Sequence, residues 1–308
     1  MKSVLVAGEI NVDLVLQGYH DFPAPGREVL VDDFEMVLGS ASAICAMGLA
    51  RLGTAVAFRG KVGDDTWGRF CVDALLSRGI DVSRVVVDPS LKTGITVAIS
   101  SAADRALVSF LGAIDSLTAD DVTDDVLAGA GHLHVSSFFL QRRLRPGCPD
   151  LFARAHRAGL STSLDPGFDP DEGWGADLKR TLEEVDVFLP NEVELRGLSG
   201  RASPEDGLRA LDNGRTLVVA KLGREGALAL DGGRPVRVEA FPVDPLDTTG
   251  AGDSFNAGFV HRWLERAPLR DCLALGAACG ALSTRGLGGT ARQPTLEEAE
   301  ALIEEHVR

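Results

Sequence analysis

Apolar positions follow two rhythms along this chain: unbroken runs of strand length, and longer stretches where they recur every three or four residues. Ser3–Ala7 is a buried-type strand that stops at Gly8. From Ser40 to Leu52 small and apolar residues crowd into a helix that ends at Gly53. Thr54–Phe58 reads as a strand and Asp65–Ser77 as a helix with Phe70, Ala74 and Leu75 on its apolar side. The alternation resumes with strands at His132–Val135, Thr162–Leu164, Val187–Leu189 and Leu217–Ala220. Helical stretches near Asp150–His156, Leu178–Glu184 and Pro204–Leu211 lie between them. Strands separated by helices predict an α/β fold with a mainly parallel sheet covered on both faces. Two stretches, Glu28–Val37 and Gly94–Leu111, are extended ribbon with no helix to complete a βαβ unit, and they are candidates for a lid or a dimer contact. The chain closes with three helices, at Gly252–Leu264, Arg270–Thr284 and Thr295–Glu305. The first of these carries Phe255, Phe259 and Trp263 as one apolar stripe.

A length of 308 residues suits one large domain or two small ones, and 45% apolar with 25% charged residues is ordinary for a globular chain. No internal repeat, low-complexity tract or long linker interrupts it. Charge narrows the partners. With 31 Lys and Arg against 45 Asp and Glu the net charge is −14, a field that repels nucleic acid and anionic membrane alike. The five cysteines are odd in number and form no C-x-x-C pair, so they read as buried free thiols in a reducing compartment. Glu9 and Asp13 come too early for a secretory signal, and no run of 18 uncharged apolar residues occurs, so the expected location is cytoplasmic. Glycine is in surplus, 35 residues of 308 against a usual share of about 7%.

The surplus acquires a purpose at Asp247-Thr-Thr-Gly-Ala-Gly-Asp253, which runs straight into the striped helix. Gly250, Ala251 and Gly252 present backbone N–H groups with little side chain in the way. They sit where unsatisfied helix amides and the macrodipole favour an anion. Asp253 falls in the first turn, where the same dipole is expected to keep its carboxylate ionised at neutral pH. An ionised carboxylate beside an anion hole can take a proton from an alcohol while the hole holds a transferring phosphoryl group. The plainer reading is a helix cap on a glycine turn.

The longer string Asp247-Thr-Thr-Gly-Ala-Gly-Asp-Ser-Phe255-x-Ala257-Gly258 resembles the C-terminal signature of the ribokinase-like (PfkB) family of carbohydrate kinases. That resemblance implies a three-layer α/β/α fold over residues 1–308, with a mainly parallel central sheet and a small β lid at about 14–37 and 94–112. It makes Asp253 the catalytic base and Gly250, Ala251 and Gly252 the anion hole. Further motifs follow in order. Gly8-Glu-Ile-Asn11-Val-Asp13 is similar to the family's first-strand motif, which places Asn11 and Asp13 on sugar hydroxyls. Gly39-Ser-Ala-Ser-Ala-Ile-Cys-Ala46 resembles the N-terminal signature and adds Gly39 and Ser40 to the substrate site. It departs where Ser40 replaces a glycine and Ile44 stands at a common sugar-binding Asn, so the sugar is not read as ribokinase reads it. Gly60–Gly68 also matches, and its Asp65 reads as a helix cap. Arg105 resembles a lid residue that touches substrate.

Pro190-Asn191-Glu192-x-Glu194 is similar to the family's Asn-x-x-Glu motif, which implies that Asn191 serves the nucleotide and that Glu194 holds Mg²⁺ through water; a helix N-cap explains the same residues. Lys221-Leu-Gly223-Arg-Glu-Gly226 resembles the strand and turn that bracket the nucleotide, with Lys221 in reach of a phosphate; a hairpin turn is the plainer account. Asp247 and Thr249 fall where some members bind a monovalent cation such as K⁺. Of the family's Asp-x-Asn-x-Arg pattern only Asp165 survives. His132 and His134 alternate on an apolar strand and read as packed core histidines, and the arginines at 142, 143 and 145 as a solvated loop.

The expectation is therefore ATP- and Mg²⁺-dependent phosphorylation of a sugar hydroxyl by a monomer, or by a homodimer through the lid. The alternatives are a nucleoside kinase on the same fold and a non-catalytic sugar- or nucleotide-binding regulator. A dinucleotide-dependent oxidoreductase is excluded, because the first strand opens into no G-x-G-x-x-G.

Overall fold

The computed structural model describes residues 3–18, 24–100 and 105–307. The first part of the chain holds β1 (Ser3–Ala7), β2 (Asn11–Gln17), β3 (Asp33–Gly39), α1 (Ala41–Arg51), β4 (Val56–Arg59), β5 (Lys61–Gly63), α2 (Thr66–Ser77), β6 (Val86–Asp88), β7 (Gly94–Ser100) and β8 (Arg105–Phe110). The middle holds α3 (Asp124–Leu127), β9 (Ala130–Val135), α4 (Cys148–Arg157), β10 (Ser161–Leu164), α5 (Ala176–Leu182), β11 (Val187–Phe188), α6 (Glu192–Ser199), α7 (Pro204–Leu211) and β12 (Leu217–Lys221). The hairpin β13 (Ala227–Asp231) and β14 (Arg234–Val238) follows, then α8 (Ala251–Leu264), α9 (Leu269–Ser283) and α10 (Leu296–Val307).

Eight strands form the central sheet in the order β14-β13-β12-β11-β10-β9-β1-β4. From β12 to β4 every pairing is parallel, and the β13–β14 hairpin adds an antiparallel edge. Parallel strands need cover on both faces, and each strand's alternation supplies it. Val4 and Val6 join a core with Ala43, Ala46, Leu49, Phe255, Phe259 and Leu273, so α1, α8 and α9 cover one face. Leu5 and Ala7 point the other way, into a second core with Leu151, Phe152, Leu178, Leu195 and Leu208 of α4 to α7. The sandwich is α/β/α, and α10 packs outside α9.

Strands β2, β3, β7 and β8 form a separate four-stranded sheet in the order β3-β2-β7-β8, in which β2 begins at Asn11. Its register puts Asn11, Asp13, Gly39, Thr96 and Ser109 on one face. The other face carries Phe34, Met36, Val108 and Phe110, all exposed. As predicted, Asp65 caps α2, accepting from the Gly68 amide at 2.8 Å and also from the Thr93 amide at 2.8 Å. All five cysteines are free thiols and buried.

Candidate active site

The parallel strands end along one edge of the sheet, where β1 gives way to Gly8, β9 to Ser136, β10 to Asp165 and β11 to Asn191. Helix α8 begins at the same edge, capped by Gly250 in a left-handed conformation with φ 71°. That loop packs so closely that a Cβ on Gly250 would stand 2.6 Å from the Gly289 Cα, so the fold itself demands glycine there. Gly252 differs. A Cβ there would meet nothing nearer than the Lys221 Nζ at 3.6 Å, which is ordinary contact. Of the three amides expected in the anion hole, that of Ala251 bonds the Thr248 carbonyl at 3.3 Å, and the helix's first intrahelical bond is Ser254 N–H to the Gly250 carbonyl. The Gly252 and Asp253 amides belong to the first turn, which has no intrahelical acceptors to offer them.

Asp253 is the third residue of α8. The helix dipole alone was expected to keep it ionised, and the structure corrects this. Burial, with the nearby charges of Asp165, Glu9 and Glu194, outweighs Lys221 and pushes its pKa up to about 7. The carboxylate is therefore balanced between its two forms near neutrality.

Beside it lies a buried polar cluster. Lys221 Nζ donates to Asp165 Oδ2 at 2.5 Å and to Asn256 Oδ1 at 3.2 Å, while Asn256 Nδ2 donates to the same Asp165 oxygen at 2.6 Å. Burial raises the Asp165 pKa, but the Lys221 charge and these hydrogen bonds outweigh it and hold the carboxyl below its ordinary value. Burial likewise disfavours the Lys221 cation, and the carboxylates of Asp165 and Glu194 overcome it. Asn256 stands at an unconstrained position of the signature, and sequence reasoning gave it no role. The available signal was an amide on the otherwise apolar side of a helix. Glu9 was missed too; its oxygens accept from the Ser42 hydroxyl at 2.6 Å and the Ser42 amide at 3.2 Å, and burial raises its pKa.

Asn191 and Glu194 form a reciprocal cap on α6. Asn191 donates from its backbone and side chain to the two Glu194 oxygens, both at 2.7 Å, and accepts from the Glu194 amide at 2.9 Å. Burial and the Asp165 charge raise the Glu194 pKa to about 7. Gly223 and Gly226 turn β12 into β13 with positive φ, and a Cβ on Gly226 would strike the Val238 carbonyl at 2.0 Å. Asp247 accepts from the Thr249 amide and hydroxyl at 2.9 and 2.7 Å, and its other oxygen accepts from the Gly288 amide at 2.8 Å.

In the four-stranded sheet, Asn11 Nδ2 donates to Asp13 Oδ1 at 2.8 Å and to Thr96 Oγ1 at 3.2 Å. The Asp13 carboxylate lies against Gly39, where a Cβ would come within 2.1 Å of Oδ1. Ser40 holds φ 76°, a conformation that favours glycine, and is tied down by donating to the Glu9 carbonyl at 2.6 Å and capping α1 through the Ala43 amide at 3.1 Å. Ile44 is buried against Gly250 and Gly289, which links this N-terminal signature to the glycine loop. Arg105 opens β8, and its side chain lies outside the described residues. Arg145 is no solvated loop residue: it pairs with Asp177 and lies over the Phe139 ring at 4.8 Å. His132 and His134 are fully buried and hydrogen-bonded, as read.

The sequence profile described as pfkB family carbohydrate kinase matches residues 1–296 of this chain. A 2-dehydro-3-deoxygluconokinase of Bacillus subtilis is 31% identical over 89% of this chain and 88% of its own. A ribokinase of Haemophilus influenzae is 27% identical over 98% and 99%. Among solved structures, a PfkB protein from Polaromonas sp. JS666 superposes with a TM-score of 0.81 at 29% identity, covering 98% of this chain and 99% of that one.

Proposed function

Because the chain belongs to the pfkB family of carbohydrate kinases, we propose that it transfers the γ-phosphoryl group of ATP to a hydroxyl of a sugar or sugar-like small molecule, with Asp253 as general base. The observation that carries this is an aspartate with its pKa raised to about 7 in the first turn of a helix, beside the buried Lys221. A base with a pKa near the working pH combines a useful ionised fraction with real proton affinity. As the new O–P bond forms, the bond from the γ-phosphorus to the β,γ-bridging oxygen breaks and ADP leaves with its electron pair, while the acceptor's O–H bond breaks and Asp253 takes the proton. The amides at Gly250–Gly252 and Lys221 face the charge on the transferring group, the Ala251 amide being the one already engaged.

The residues suit a nucleotide. Gly252 leaves open the space a Cβ would fill next to Lys221, and nothing in the fold requires that gap. Gly223 and Gly226 bring backbone turns to the same edge, and Asn191 is joined to Lys221 through a backbone bridge. Mg²⁺ would neutralise phosphate charge; each Glu194 oxygen takes one hydrogen bond and keeps a lone pair for a metal-bound water. Asp247 and Thr249, with the turn at Gly288, are our candidate site for K⁺. Asn11, Asp13, Gly39 and Ser40 would take the sugar hydroxyls, with Arg105 closing from the lid.

A coupled assay for ADP release decides the matter, run over sugars, keto-deoxy acids, sugar phosphates and nucleosides, with and without Mg²⁺ and K⁺. Substrate-stimulated ADP release is expected. Ligand-induced thermal shifts without turnover on any acceptor would instead make the protein a regulator. Sedimentation of the full chain distinguishes a monomer from a homodimer through the exposed Phe34, Met36, Val108 and Phe110 face.

A further inference from the structure

Strands β9 and β10 carry an unbroken polar ladder through the middle of the sheet. Ser161 Oγ meets His132 Nδ1 at 2.9 Å, His132 Nε2 meets Ser163 Oγ at 2.7 Å, Ser163 Oγ meets His134 Nδ1 at 2.7 Å, and His134 Nε2 meets Ser136 Oγ at 2.8 Å. Burial lowers the pKa of His132 to about 3 and of His134 to about 4, so both rings are neutral and each carries one N–H. Ser163 owns one proton and is shared by both rings. When it donates to one ring it accepts from the other, so the two tautomers are locked together and the ladder has two polarities. Interconversion passes one proton: one is taken up at one terminal serine, each group hands on the one it held, and one is released at the other. Ser161 is partly exposed, whereas Ser136 is fully buried, so exchange at that end needs water admitted at the catalytic edge.

The two ends of the ladder are distinct places. Ser136 adjoins Asp165, whose amide bonds the Val135 carbonyl at 2.9 Å, and so reaches the candidate catalytic edge. Ser161, about 13 Å away along the strands, lines a cavity of about 660 Å³ at the opposite edge, with Gly131, Gly159, Trp263, Leu264, Arg266 and Ala267. The Trp263 ring stands edge-on to His132 at 5.8 Å. Arg266 follows α8 with φ 61°, where glycine is the usual residue, and its guanidinium has no hydrogen-bond or ion-pair partner among the described residues. An exposed arginine without a partner among the described residues, an indole, two apolar side chains and a hydroxyl around a space of this size match a small organic acid with a flat apolar body.

We propose that this cavity is an effector site for such an acid, and that the Ser161–His132–Ser163–His134–Ser136 ladder couples its occupancy to the catalytic edge. The sign follows from the ladder. Among the described residues, the Ser161 hydroxyl has only a long 3.4 Å contact to the Gly131 carbonyl as its acceptor on the cavity side. A bound carboxylate or sulfonate, a stronger acceptor, fixes the polarity in which every donor points toward the cavity. Ser136 then turns its lone pairs toward the Asp165 edge, the potential there becomes more negative, and an anionic nucleotide binds less well.

The probe is 1-anilinonaphthalene-8-sulfonate, titrated into the full chain with energy transfer from tryptophan as the signal. One site is expected, with transfer largely lost in Trp263→Phe and affinity at least about tenfold weaker in Arg266→Ala. Saturating probe should weaken ATP binding about fivefold or more in the wild type and in Ser163→Thr, which keeps the hydroxyl. Ser163→Ala should bind the probe normally and lose that coupling. Affinity unchanged in Arg266→Ala, or coupling undiminished in Ser163→Ala, overturns the proposal. If ATP binds no form of the protein, the kinase reading fails, and the Arg266 and Trp263 variants still decide the cavity.

Discussion

Replacing Gly252 by alanine separates what the glycine loop does for the fold from what it does for chemistry. The new methyl would sit 3.6 Å from the Lys221 Nζ and 3.9 Å from its Cδ and Cε, all ordinary contacts. Gly252 is helical, without positive φ, and alanine is the better helix former by up to about 1 kcal/mol. The substitution should therefore leave the urea midpoint unchanged or raise it slightly. The methyl nevertheless fills the space between the α8 amides and Lys221 in which we propose that a phosphoryl oxygen lies. Losing one anion-hole donor elsewhere lowers turnover by roughly 10²–10³-fold, and Gly252→Ala should fall in that range with its stability intact. Gly250→Ala is the contrast. Its Cβ would collide with the Gly289 backbone at 2.6 Å in a left-handed conformation, so it should lose stability first, by at least about 1–2 kcal/mol. Steady-state ADP release and urea denaturation on both variants provide the four numbers. Gly252→Ala with activity within a few-fold of wild type would refute the anion hole.

Asp253→Asn should fold and lose at least about two orders of magnitude in turnover. In the wild type kcat/KM should rise with pH through about 7 and then level, since the proposed base, Asp253, would work ionised and its pKa is about 7; a profile flat from pH 5 to 9 would contradict this. For stability the sign is opposite. The folded pKa lies above the ordinary 3.8, so stability from the protonated form is complete below that value and is lost as pH rises through about 7. Asp253→Asn should accordingly be more stable than wild type at pH 8, which a thermal melt at two pH values measures. Lys221→Met strands the buried Asp165 carboxylate and should lose roughly 3–5 kcal/mol in urea. Adding Asp165→Asn should recover part of that loss, and no recovery would mean that the pair is not coupled. Thr249→Ala removes the hydroxyl bonded to Asp247 and should abolish any activation by K⁺ while leaving Mg²⁺ dependence in place.

The sequence by itself determined the layers and the polarity of the sheet. Strand-length apolar runs such as Ser3–Ala7 have nowhere to go except between two helical layers, and the helices between them force parallel connections. It also placed the glycine loop at a helix start, because a turn and a cap are local events written in adjacent residues. The register of the four-stranded sheet was not legible, since pairing Asn11 with Gly39 and Asp13 with Thr96 joins distant segments. Nor was the charge state of Asp253. Its local setting, a helix N-terminus, favours the carboxylate, and only the fold buries it and brings Asp165, Glu9 and Glu194 close enough to offset that preference near neutral pH. The pairing of Lys221 with Asp165 and Asn256 belongs to the same class, as does the ladder from Ser161 to Ser136. Backbone conformation is governed by neighbours along the chain. Ionisation and hydrogen-bond polarity are governed by neighbours in space, and those exist only once the strands and α8 have been brought to a common edge.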